Sequence, residues 1–561
     1  MTWTVDGIGG GNSTVGTISS TGLYTPPPTA GRHLIVASST ANPTQTDTAA
    51  VTVTTYPGTH TFQNDNGHTG QNGQENVLTT GNVNQSQFGL LSSYAVDGQV
   101  YAQPLYVAGV NMGSRHRRRN IHNVVYVATE HDSVYAFDAD NLSSPPLWQV
   151  SFIDPSAGIT TVPSSDVQSS EFYPYEIGIT STPVIDQSSD TLCVVPYTKE
   201  NGQYVYRLHA LDIRSGAEKF GGPVVISAAV PGTGNGSSGG ILPLNDIRQG
   251  QRPGLLLVNG VVYIAFASGH GDVEPWHGWL LGYNAQTLEQ VAVFNTTPNG
   301  GAGGIWGAGG GFAADSLGDL FLVTGNGTFD VNNGGAEYGD SFVKLTTNSG
   351  ALTVADYFAP FSAAMLSMSD LDLGSGGVTL LPDQPTSPSH LLIGGGKQGI
   401  LYLVNRDNMG QFNQSTDQVV QEIPTGKGQF GLVAYWNSNL YRAGFNGYVS
   451  QFRLFRGQLS TTPVAQATNA NFLYPGATPA ISANGTTNGI AWLIQRFDAS
   501  YRAVLRAYDA ANVSRELYDS DQAGSRDQLP FGVKFAVPTI ANGKVYVGTS
   551  STLAVFGLLP R

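Results

Sequence analysis

The sequence predicts an all-β protein, an eight-bladed β-propeller preceded by a small β-sandwich fragment. Three observations predict it. Only 12% of the residues are charged, while Gly numbers 71, Pro 30, Tyr 25 and Phe 24, the composition of many short strands joined by tight turns. From Phe88 onward one unit recurs: an apolar strand, a short turn, a second strand, and a third ending near an aromatic-Asp or equivalent pair. The last unit stops at Arg561 one outer strand short, and the run Phe88 to Asp97 supplies a strand of that kind before the first unit. Pairing the two chain regions in one blade would close the ring and leave no open sheet edge.

Taken in order, residues 2–55 read as short strands around Trp3 to Val5, Thr17 to Pro26, His33 to Ser39 and Ala50 to Thr54. The runs GTISSTGLYTPP and VASSTANPTQTDTAAVTVT resemble bacterial immunoglobulin-like domains. The resemblance implies an immunoglobulin-like β-sandwich fragment over residues 1–56, too short for the whole sandwich, serving as a spacer or adhesion module. Residues 57–87, rich in Gly, Asn and Gln, read as a linker laid over the next domain. The propeller occupies 88–561. Its repeat centres are Val124 to Asp138, Leu208 to Asp212, Leu280 to Asn284, Ser341 to Leu345, Leu401 to Asn405, Val449 to Arg453, Leu505 to Asp509 and Thr552 to Phe556. Innermost strands are expected upstream of each, at Ala102, Ser181, Gly254, Gly311, Gly377, Gly431, Ala477 and Ala536.

A net charge of −14 argues against nucleic acid as the principal partner, because phosphate binding needs a basic surface. The basic cluster Ser114 to Arg119 stands between strand-like runs and reads as a solvated loop insertion. The single cysteine, Cys193, falls in an apolar run, so a buried strand position is expected and no disulfide within the chain can form. No stretch reaches the roughly 18 apolar residues of a membrane span, and no basic-then-apolar segment follows Met1. The chain opens inside a strand pattern, which points to a start further upstream. Scarce Lys with abundant Asn, Ser and Thr points to a secreted, periplasmic or cell-surface bacterial protein.

The pattern VVYVATEHDSVYAFDADN, followed by a Trp, resembles the repeat of pyrroloquinoline-quinone (PQQ) propellers, the fold of quinoprotein alcohol dehydrogenases, over residues 88–561. The same blade builds non-enzymatic scaffolds such as outer-membrane assembly lipoproteins, so the site must be argued separately. The resemblance implies a set of site residues. Trp306, in Gly304-Ile-Trp-Gly, would be the floor on which the quinone stacks, the alternative being a core Trp between blades. Asn326, in Thr324-Gly-Asn-Gly, would bind a metal ion through its amide oxygen, the alternative being a turn Asn before Gly. Glu274 or Asp272 would add a metal-binding carboxylate, and hard oxygen donors suit calcium. Asp370 would take the proton of the substrate alcohol as hydride passes to the quinone. Asp372 stands where lanthanide-using relatives carry an additional ligand, and is a second catalytic candidate. Lys397, in Gly396-Lys-Gln-Gly, would contact the quinone oxygens.

Two departures from the family pattern stand out. Family enzymes commonly cap the quinone with a pair of adjacent cysteines, whereas the comparable segment here is Thr129-Glu-His-Asp132. No Cys-x-x-Cys-His occurs, so no covalently attached haem is expected and electrons would pass to an external acceptor. Three functions follow: a secreted PQQ- and metal-dependent dehydrogenase of an alcohol or sugar hydroxyl; a non-catalytic propeller binding a cell surface, glycan or protein; or a carbohydrate hydrolase or lyase on the same scaffold.

Overall fold

A computed structural model describes the chain except for residues 114–119, 170–174, 308–309, 349–350, 497–501 and 561; the basic cluster at 114–119 lies outside the described residues. The first fifty residues form two small antiparallel sheets. Thr2–Val5, Ile8–Gly9, Gly31–Ser38 and Thr46–Val53 make one, and Gly11–Asn12, Gly16–Ile18 and Tyr24–Thr25 the other. They share a core of Val5, Ile18 and Ile35, flanked by Trp3 and Tyr24.

Among the described residues eight larger sheets follow, beside one two-stranded pair of Ala229–Pro231 with Ile241–Pro243, and each of the eight is led by a short inner strand: Leu105–Asn111, Val184–Asp186, Leu256–Val258, Ala313–Ala314, Val378–Leu380, Ala434–Trp436, Ala480–Asn484 and Thr539–Ala541. All begin within three residues of the positions expected from the sequence. The sheets pack as a ring, because each presents one face to the preceding sheet and one to the next. In Leu320–Val323, for example, Leu320 and Leu322 pack with the third sheet while Phe321 and Val323 pack with the fifth. Side chains alternate along a strand, so a strand covered on both faces reads as a continuous apolar run. That is why strands such as Leu320–Val323 and Leu391–Gly395 carry no polar side chain.

The ring closes as the sequence suggests. Phe88–Ala95 pairs antiparallel with Thr552–Leu558, Phe88 opposite Leu558 and Ala95 opposite Thr552, completing the sheet whose inner strand is Thr539–Ala541. Cys193 is buried in the strand Thr191–Val194.

Residues 57–72, rich in Gly, Asn and Gln, follow a specific route along the inner strands. Between Pro57 and Asn72 the chain touches the inner strands of all eight sheets in turn. The amides of Ala108, Ile185, Ala314, Leu380, Tyr435 and Ile481 donate to the carbonyls of Pro57, His60, Asn66, Gly67, Thr69 and Gly70. The amide side chains of Asn66 and Asn72 donate to Leu257 O and Ile540 O, which covers the third and eighth sheets. Gly70, at φ 71°, allows the bend, and a Cβ there would collide with the Gln63 side chain. These bonds satisfy inner-strand groups that would otherwise face the channel unpaired.

Candidate functional site

In every sheet the connections from the second to the third strand, and from the fourth strand to the next sheet, emerge at the same end of the ring. The sequence candidates sit on such connections. Lys397 lies in the turn between Leu391–Gly395 and Ile400–Asn405, and Asn326 follows Leu320–Val323. Trp306 lies between Gln290–Asn295 and Ala313–Ala314. Asp370 and Asp372 follow the short helix Ala363–Met368, ahead of Val378–Leu380. Topology alone therefore gathers them at one end of the channel.

The side chains then meet. Lys397 Nζ lies 2.7 Å from Asp370 Oδ1 and 2.7 Å from Asp372 Oδ2. Asn326 bridges the same carboxylates, donating from its main-chain amide to Asp372 Oδ1 at 2.8 Å and from Nδ2 to Asp370 Oδ1 at 3.0 Å. Gly325 permits this closeness, since a Cβ on it would strike both Asp372 Oδ1 and the Trp306 indole. Trp306 is packed edge-on by Trp276, ring centroids 5.6 Å apart, and the Arg252 guanidinium lies 5.5 Å from its ring centre.

Burial divides the two carboxylates. Asp372 is 5% exposed and fully engaged, whereas the Asp370 side chain is 80% exposed. Among the described residues Asp370 Oδ2 accepts no hydrogen bond, leaving one face of the carboxylate open to a ligand hydroxyl. Burial opposes charge on Lys397, but Asp372 and Asp370 outweigh it and hold the ammonium above the usual lysine range. A third acid, Asp340, is 1% exposed and accepts the Leu373 amide at 2.9 Å. Burial, helped by the charge on Asp372, pushes its carboxyl up to about 8.

That shift has a sign that can be checked. Asp340 holds its proton in the folded chain up to about pH 8 but releases it near its ordinary value of 3.8 when unfolded. Between those limits the folded state binds more protons, so stability falls as pH rises. Asp340→Asn keeps the acceptor for Leu373 and removes the ionisation. Its melting temperature is expected to exceed the parent's at pH 8 and to converge with it near pH 4; equal curves across that range would exclude this role.

Not every expected residue joins the centre. Asp272 and Glu274 are exposed; Asp272 accepts a hydrogen bond from the Ser268 hydroxyl, and neither carboxylate bonds to a residue of the centre. The loop instead turns Trp276 inward, an apolar contact within a segment notable in the sequence for its acids. Among the described residues no three His, Cys, Asp or Glu side chains assemble with metal-binding geometry. The expected calcium or lanthanide set of Glu274, Asp272, Asn326 and Asp372 is thus brought together only at Asn326 and Asp372, and Lys397 already supplies Asp372 with a cation.

The fit to a planar quinone is better. Among the described residues Asn326 Oδ1 and Trp306 Nε1, on either side of Gly325, are both buried without a hydrogen-bond partner. Beside them stand a flat indole and a half-buried ammonium, groups suited to a conjugated ring bearing polar oxygens. In the segment Thr129 to Asp132, Glu130 and Asp132 are fully buried, and Glu130 accepts the Gly178 amide at 2.8 Å. Burial raises the Glu130 carboxyl to about 8, with Arg252 close enough to offset part of the rise.

Comparison with solved structures places this architecture. A quinohemoprotein alcohol dehydrogenase from Pseudomonas putida HK5 superposes with a TM-score of 0.55 at 14% identity, covering 90% of this chain and 82% of that one. The quinohemoprotein alcohol dehydrogenase of Comamonas testosteroni gives 0.56 at 15%, over 89% and 80%. The chain has the quinoprotein propeller fold. A europium-containing methanol dehydrogenase matches with a TM-score of 0.53 at 13% identity, over 90% of this chain and 98% of that one. No protein-family model and no curated protein matches the sequence. Among the described residues no helix is long and apolar enough to cross a membrane.

Proposed function

We propose that this quinoprotein-fold chain is a PQQ-dependent dehydrogenase acting on the hydroxyl of a small alcohol or sugar, with electrons leaving to an external acceptor. The observation that carries the proposal is the convergence of Trp306, Asn326, Asp370, Asp372 and Lys397 at one end of the channel, around two buried polar atoms without partners. When bound, the quinone supplies the two-electron acceptor. The chain supplies the rest. Trp306 would carry the ring and Lys397 would face its oxygens with a fixed positive charge. Asp370 Oδ2, open to solvent, would take the proton of a substrate hydroxyl, while Lys397 and Asn326 hold Oδ1 and so fix the carboxylate plane. Asp372, tied to Lys397 and Asn326, is a positioning residue. Lys397, rather than a metal, is assigned the central positive charge. The N-terminal sheets we read as an immunoglobulin-like spacer on an exported bacterial protein, with residues 88–561 as the catalytic domain.

One observation favours a second reading, a non-catalytic binding propeller: Arg252 lies over the Trp306 ring, in the space a stacked cofactor would need on that face. The two readings separate in one assay. The purified chain, incubated with PQQ with or without calcium, is expected to reduce a dye acceptor when given primary alcohols or aldoses, with the aldehyde or lactone detected as product. No dye reduction on any of these substrates would leave the binding reading standing.

A further inference from the structure

The opposite end of the ring carries a second site, unconnected with the quinone reading. Lys397 and Arg406 flank the strand Ile400–Asn405, so Arg406 emerges at the far end of the same strand. There a half-open cleft of about 270 Å³ lies between the fourth and fifth sheets, floored by Gly67 of the lacing segment.

Arg406 is 8% exposed, with its guanidinium 5.8 Å from the centre of the Phe321 ring. Among the described residues its side chain makes no hydrogen bond. Its two ion-pair approaches, to Asp315 at 3.6 Å and Asp383 at 3.7 Å, are beyond hydrogen-bonding distance, and Nε is buried with no partner. A guanidinium carries five donors, and burying them unmet is costly. The arrangement is that of a donor fork awaiting an acceptor that the described residues do not provide.

Charge narrows the class of ligand. Lys344, also in the cleft, is neutralised by Asp319 at 2.9 Å. His390, also in the lining, bonds Asp407 through Nδ1 at 2.9 Å; the remaining carboxylates, Asp315 and Asp383, still outnumber Arg406 and would repel an anion. A metal cation has no assembled set of ligands among the described residues. A neutral hydroxyl group suits both signs, accepting from Arg406 and donating to a carboxylate. Leu317, 81% exposed, forms an apolar lip beside the buried Leu380, a surface for the C–H face of a ring. The volume lies just under the roughly 300 Å³ at which small-molecule pockets begin, enough for one ring and not for an oligosaccharide.

We propose that this cleft binds a single sugar ring, either a free monosaccharide or the terminal residue of a glycan. The test uses calorimetry and saturation-transfer NMR on the full chain, with glucose, galactose, mannose, soluble dextran, acetate and inorganic phosphate as probes. Saturable binding of at least one neutral sugar is expected. Binding of the free sugars assigns a monosaccharide; binding of dextran alone assigns a glycan end. Asp383→Ala, at a side chain 74% exposed, is expected to weaken binding about tenfold with an unchanged melting temperature. Arg406→Met is expected to abolish binding, and Asp383→Ala keeps the test decisive if that buried change unfolds the chain. No saturable binding of any sugar, sugar affinity indifferent to Asp383→Ala, or binding of acetate or phosphate in preference to sugars would overturn the proposal.

Discussion

Asp370→Asn is expected to lower kcat for dye-linked alcohol oxidation by about 10²- to 10⁴-fold, the usual worth of a positioned general base, while KM changes little. The substitution is nearly isosteric at a side chain 80% exposed, so the fold and the contact with Lys397 survive it. What it removes is the proton acceptor at Oδ2. Asp372→Asn is expected to act differently, because Asp372 touches no substrate in the proposed arrangement. It leaves Lys397 short of one buried counter-charge, so the pH profile of the reaction shifts as well as its rate. A variant lacking the Asp370 carboxylate with undiminished turnover would remove Asp370 from the chemistry.

The second large effect is on stability. Phe88 is fully buried where the two distant chain regions meet, 5.0 Å from Tyr518, 5.5 Å from Trp492 and 6.1 Å from Phe556, centroid to centroid. Phe88→Ala is expected to cost about 3–5 kcal/mol, because the surrounding aromatics belong to two sheets and cannot collapse into the cavity. Phe88→Leu should cost markedly less. Urea denaturation measures both. A loss of under about 1 kcal/mol for the alanine variant would mean that this strand does not hold the ring closed.

How much of this was legible in the sequence depended on where each residue's partners lie. The repeat was plain because strands covered on both faces must be apolar throughout, as Leu320 to Val323 shows. The closing strand was legible because a ring cannot end on an open edge. Trp306, Asn326, Asp370 and Lys397 could be found because the short motifs around them resemble those of the quinoprotein family, and strand order then decides which end of the ring each faces. Glu274 and Asp272 were drawn into the metal set because the family resemblance places a metal-binding Glu ahead of that strand, and the packing of Trp276 on Trp306 turned their loop otherwise. Asp340 and Arg252 escaped notice because burial and cross-sheet contact, not any local pattern, give them their character. The lacing of residues 57–72 was invisible for another reason. Most of its contacts use main-chain carbonyls, which every residue carries, so composition showed only that the segment forms no core of its own.

In the proposed reading one end of the channel binds the quinone through Trp306 and Lys397. Titrating the full chain with PQQ while following tryptophan fluorescence and the quinone absorbance tests it without reference to turnover. The account predicts saturation at one quinone per chain, persisting in the presence of a chelator, with binding lost in Trp306→Ala and weakened in Lys397→Met. Absence of saturable quinone binding, with or without calcium, would contradict it.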